Sequence, residues 1–91
     1  MSGRTVVRKI DGGKLFRLTL LPTGKVRLHG DFFLYPEERI EAIEEWLECC
    51  LTMPDKTSAK RYLEKEIDEE KITILGVDVQ HLIDALWRAK E

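Results

Sequence analysis

Apolar and polar residues alternate from Lys14 to Leu21, with Phe16, Leu18 and Leu20 on one side and Arg17 and Thr19 on the other. A period of two is that of a half-buried strand. The segment Leu21-Pro22-Thr23-Gly24 then reads as a tight turn, because proline pre-sets φ and glycine is free to take a positive one. Alternation resumes from Lys25 to Gly30, with Val26 and Leu28 inward and Arg27 and His29 outward. Together these segments predict an antiparallel hairpin. Thr5 to Ile10 is rich in β-branched residues and supplies a third strand, set off by the turn signal Asp11-Gly12-Gly13.

Beyond Gly30 the period changes. Pro36 suits a first helical position, where a missing N–H costs nothing, and Glu37 and Glu38 favour the positive end of the helix dipole. Ile40, Ile43, Leu47 and Leu51 recur at helical spacing, with Trp46 and Cys50 beside them. Glu37, Glu41, Glu44, Glu45 and Glu48 form an acidic opposite face, expected to be solvated. Thr52-Met53-Pro54-Asp55-Lys56 breaks the helix, and a second is expected from about Ser58 to Ile67, burying Ala59, Tyr62, Leu63 and Ile67. Ile72 to Leu75 is short, apolar and extended, and Gly76 ends it. Asp78 is an N-cap candidate for a last helix that buries Val79, Leu82, Ile83, Leu86 and Trp87. The pattern predicts an α+β domain: a small antiparallel sheet, with its N-terminal strands and hairpin, packed against about three helices.

The 91 residues fit one domain spanning 1–91 and leave little room for a deep substrate cavity. Its charged share, 35%, exceeds the usual ~25%. No apolar run approaches the ~20 residues of a membrane span, and no apolar signal region follows Met1, so a cytoplasmic protein without a membrane partner is expected. The net charge of −2 is unevenly spread. Residues 1–30 hold seven basic side chains and one acid, giving +6, whereas residues 31–91 hold eight basic and sixteen acidic, giving −8. The first third can meet something anionic, or the two parts neutralise each other in the fold; the acidic remainder argues against a nucleic-acid partner.

No self-contained active site emerges. Gly12-Gly13-Lys14 is too short for a phosphate-binding loop and leads into a strand. Ser2 and Ser58 lack a neighbouring histidine, and His29 and His81 lack ligand-spaced carboxylates or thiolates. His81, in the first turn of the last helix, is expected to be solvated. Adjacent Cys49 and Cys50 are expected to be free thiols in a helix, and no metal site is expected. The informative segment is Gly30-Asp31-Phe32-Phe33, where strand gives way to helix. Glycine permits close backbone approach. Asp31 is expected to accept backbone hydrogen bonds. Two consecutive aromatics in extended chain face opposite ways, so one enters the core and the other packs on a neighbouring face or meets a partner.

Gly12-Gly13-Lys14-Leu15, followed after a hairpin by Gly30-Asp31-Phe32-Phe33-Leu34-Tyr35-Pro36-Glu37-Glu38, resembles the C-terminal accessory domain of lipoate–protein ligases. The order of elements and Gly76 before the last helix match as well, and the likeness runs from about Val6 to Lys90. At His29 a small polar residue such as threonine would fit that family better, and no role is carried onto it. The resemblance implies a fold similar to the SufE/IscU-like fold and a non-catalytic subunit, inactive alone. Its partner would be a separate catalytic subunit, in a heterodimer, that activates lipoate with ATP to lipoyl-AMP and passes the lipoyl group to a lysine of an acceptor domain. The family's Arg-Arg-x-x-Gly-Gly-Gly-type motif is missing from the chain, which begins with its own Met1, so the detached subunit is expected. Lipoate, ATP and Mg2+ are then expected at the partner's active site, with no cofactor bound by this chain alone. Lys14, with Gly12 and Gly13, is the expected phosphate contact; Gly30, Asp31, Phe32 and Phe33 are the expected motif or interface. The alternative function is an iron–sulfur scaffold or sulfur-transfer partner of similar fold.

Overall fold

The computed structural model describes residues 3–10 and 14–91. Strands β1 (Arg4–Ile10), β2 (Lys14–Leu20) and β3 (Val26–Gly30) form an antiparallel sheet in that order. A second, two-stranded antiparallel sheet pairs β4 (Phe33–Tyr35) with β5 (Thr73–Leu75). Between them run a short 3-10 turn (Glu37–Arg39), α1 (Ile40–Cys50) and α2 (Lys56–Glu69), and α3 (Val79–Lys90) closes the chain. The fold is α+β with three helices, as the periodicity predicts.

The alternation along β2 and β3 decides which face the helices cover. Phe16, Leu18, Val26 and Leu28 are buried beneath α1 and α3, whose apolar stripes contribute Ile43, Leu47, Leu82, Ile83 and Leu86 to one core. Each such side chain contributes roughly 1.5–3 kcal/mol through its removal from water. The last helix starts at the expected cap, the Asp78 carboxylate accepting from the His81 N–H at 2.9 Å. Asp55 caps α2 likewise, accepting from the Ser58 N–H at 2.7 Å, so that helix starts two residues earlier than its apolar pattern suggests.

Three local expectations are corrected. Pro36 is not the first helical residue: extended and following a cis peptide bond, it stands just before the 3-10 turn Glu37–Arg39, and the α-helix proper begins at Ile40. The acidic face of α1 is not wholly solvated. Glu44 is only 7% exposed, and its Oε2 accepts from the Leu28 N–H at 2.8 Å. One turn on, Glu48 accepts from the Val26 N–H at 3.0 Å. Finally, His81 is half-buried rather than solvated, with its ring edge-on to Phe16 at 6.5 Å.

Candidate functional site

Because all three helices lie on one side, the sheet's other face is open. It carries Thr5, Val7 and Lys9 from β1, Leu15 and Arg17 from β2, and Arg27 and His29 from β3, all exposed. Val7 is 55% and Leu15 44% exposed. The face is apolar at its centre and basic around it.

The Gly30-Asp31-Phe32-Phe33 segment leaves this sheet at the end where Lys14 begins β2. Gly30 has φ +151°, and a Cβ there would stand 2.5 Å from both the Leu15 carbonyl oxygen and the Phe16 Cα. Only glycine lets the chain pass that close to β2. The Asp31 N–H donates to the same Leu15 carbonyl at 2.7 Å, which locks the crossing. Gly76 (φ +97°) closes against the segment from the other side: a Cβ would come 3.2 Å from the Asp31 carbonyl oxygen and 3.3 Å from the Phe32 Cα. The two glycines on which the resemblance partly rests thus clamp one stretch of backbone. The expectation that the Asp31 carboxylate accepts backbone hydrogen bonds is not met among the described residues; its amide makes the contact instead.

The two phenylalanines divide as extended backbone requires. Phe32 packs against the core. Phe33 points outward, 71% exposed, opposite Leu75 of β5 (61%), and Tyr35 beside it is 73% exposed. A hollow of about 260 Å³ joins Val7, Leu15, His29, Gly30 and Asp31, and a second of about 310 Å³ joins His29 and Gly30 to Phe33. The surface therefore continues from the basic sheet face to the outward aromatics. Lys14 is exposed at the same end of the sheet, but it alternates with Leu15 and so belongs to the side of Phe16 and Leu18, not to the open face. Gly12 and Gly13 lie outside the described residues.

The cationic first third is only partly neutralised. Lys25 pairs with Glu48 at 3.8 Å and Arg27 with Glu44 at 3.6 Å. Among the described residues, Arg4, Arg8, Lys9, Lys14 and Arg17 form no ion pair. Sequence reasoning missed the aromatic pair with β5, because Leu75 reads as an ordinary strand residue until its partner strand is known.

Cys50 suits packing better than chemistry. Cys50 is buried, its thiol directed at the Ala59 carbonyl at 3.7 Å, and burial, with the neighbouring Cys49 thiol, pushes it up to about 11. A thiolate ligand is disfavoured there. Cys49 is exposed. Among the described residues there is no cluster of three or more His, Cys, Asp or Glu able to hold a metal ion, and no helix long and apolar enough to cross a membrane. No family model, curated protein or solved structure matches the chain.

Proposed function

We propose that this chain is the accessory small subunit of a bipartite lipoate–protein ligase, a cytoplasmic protein that works in a heterodimer with a separate catalytic subunit. The observation that carries the reading is the outward turn of the motif's own side chains. Phe33 and Tyr35 are exposed beside a basic, partly apolar sheet face, although the backbone beneath them is held by two glycine contacts. A contiguous exposed apolar patch of this kind is the mark of a protein-binding surface.

In this reading the face closes over the mouth of the partner's active site. There the lipoate carboxylate attacks the α-phosphorus of Mg2+-bound ATP, forming lipoyl-AMP and expelling pyrophosphate. Closure keeps water from the mixed anhydride until the lysine of an acceptor domain takes the lipoyl group. Lys14, at the rim of the motif end of the sheet and on its helix side, offers positive charge toward the phosphates from beside this face. The iron–sulfur alternative is weakened by the buried, high-pKa Cys50.

The test is to co-purify the chain with a lipoate-ligase catalytic subunit and assay acceptor lipoylation with and without it. Dependence on the chain supports the reading, whereas a catalytic subunit equally active alone sinks it. Phe33→Asp with Leu75→Asp should leave the chain folded and abolish the stimulation. Lys14→Ala should slow lipoyl-AMP formation at limiting ATP; an unchanged rate removes the phosphate role from Lys14.

A further inference from the structure

We infer that the free edge of β1 is a second interaction surface, one that receives an acidic, extended segment of a partner polypeptide as an added strand. This surface lies along the strand edge, touches the motif face only at Thr5 and Lys9, and does not depend on the ligase reading.

The first observation is topological. β1 is the outer strand of the sheet, so among the described residues its far side has no strand partner. An unpaired strand edge presents a row of N–H and C=O groups ready to bind another extended chain. Over seven residues it offers about 23 Å of pairing length.

The second observation is the shape and charge beside that edge. Two hollows, of about 430 and 550 Å³, run along β1 and share Arg88 and Glu91 at the end of α3. One takes in Arg8, Lys9, Lys56, Asp84 and Trp87, and the other Arg4, Thr5 and Val6. The trough thus gathers five cations from three elements. Against them stand two acids, and Asp84 is already engaged by Lys56 at 3.2 Å and Gln80 at 2.9 Å. Burial would raise the Asp84 carboxyl, but those hydrogen bonds and the nearby Lys56 and Arg8 charges outweigh it, so the carboxyl titrates below its ordinary value. It remains an occupied anion and leaves the trough with a cationic surplus.

Charge selects the occupant. A second copy would lay its own Arg4, Arg8 and Lys9 against these cations, so self-pairing is disfavoured; basic residues on an edge strand serve in part to prevent it. An acidic strand meets the opposite condition. Acids on its alternate residues would face Arg4, Arg8 and Arg88, while its backbone completes the β1 ladder.

The probe is a synthetic eight-residue peptide alternating glutamate and threonine, titrated into the isotope-labelled full chain and followed by NMR. Amide shifts confined to Arg4–Ile10 and the end of α3, with slowed exchange of alternate β1 amides, are expected. N-methylating the peptide on its pairing edge should weaken binding at least about tenfold, and Arg4→Glu with Arg88→Glu, both exposed positions, should weaken it similarly. The inference is overturned by no binding at about 2 mM peptide, by equal binding of the N-methylated peptide, or by shifts on the β2–β3 face. It is equally overturned if inorganic triphosphate displaces the peptide with the same shifts, which would mark a polyanion site instead.

Discussion

The two edges of the three-stranded sheet are finished in opposite ways. At β3 the protein supplies its own acceptors: Glu44 and Glu48, one turn apart on α1, take the N–H groups of Leu28 and Val26. At β1 no such acceptors arrive among the described residues, and the charged side chains beside it are mostly cations. The geometry at β3 follows from two repeats. Four helical residues rise about 6 Å and two strand residues about 6.6 Å, so acids at i and i+4 match alternate amides of a strand. The same carboxylates pair with Arg27 and Lys25, which turns part of the charge imbalance into a contact between hairpin and helix. The β3 edge is thus closed within the fold, whereas the β1 edge has no strand partner among the described residues.

The comparison breaks if the β3 seal contributes little. Glu44→Ala leaves the buried Leu28 N–H without its charged acceptor and should cost about 2–3 kcal/mol, read as a lower urea midpoint at unchanged slope. Glu44→Gln keeps an acceptor and should lose less than half of that. Glu48, more exposed, should cost about 1 kcal/mol on the same change. If Glu44→Ala is neutral, the carboxylates are incidental to the edge.

At the β1 side the effects should be smaller. The Asp84 carboxyl is depressed in the folded chain, so the folded state binds fewer protons there than the unfolded state. The stability it contributes is fully present above the ordinary carboxylate range near pH 4 and is lost as pH falls through the depressed value. Asp84→Asn should therefore flatten the acid limb of a stability–pH curve. At pH 7 it should cost only about half a kcal/mol, because the pair with Lys56 is 39–50% exposed and screened by solvent. Lys9→Ala should change stability by less than about 0.5 kcal/mol, since Lys9 is exposed and its side chain forms no ion pair among the described residues. A larger loss would mean that β1 is already engaged within the chain.

The sequence made the regular elements readable where side-chain period and structure share a cause. Phe16, Leu18, Val26 and Leu28 alternate because one sheet face is covered, and Leu82, Ile83 and Leu86 recur because α3 lies on it. Asp78 announced a cap through a local hydrogen bond. What depended on distant partners was not readable. Glu44 and Glu48 look identical in kind to the solvated Glu41 and Glu45, and only the approach of α1 to β3 separates them. The motif's glycines signalled close backbone approach, but not that Gly76 would clamp the segment Gly30 begins. The Phe32-Phe33 pair implied one side chain in and one out; the pairing of β4 with β5 decided which.

We propose above that this chain serves activation of lipoate on a partner's active site. The most direct measurement separates the two half-reactions: pyrophosphate release from ATP and lipoate, and lipoyl transfer to an acceptor from preformed lipoyl-AMP, each with the catalytic subunit alone and with this chain added. Pyrophosphate release should require the chain, and transfer should proceed nearly as well without it. Pyrophosphate release by the catalytic subunit alone, at a rate the chain does not change, would contradict the proposal.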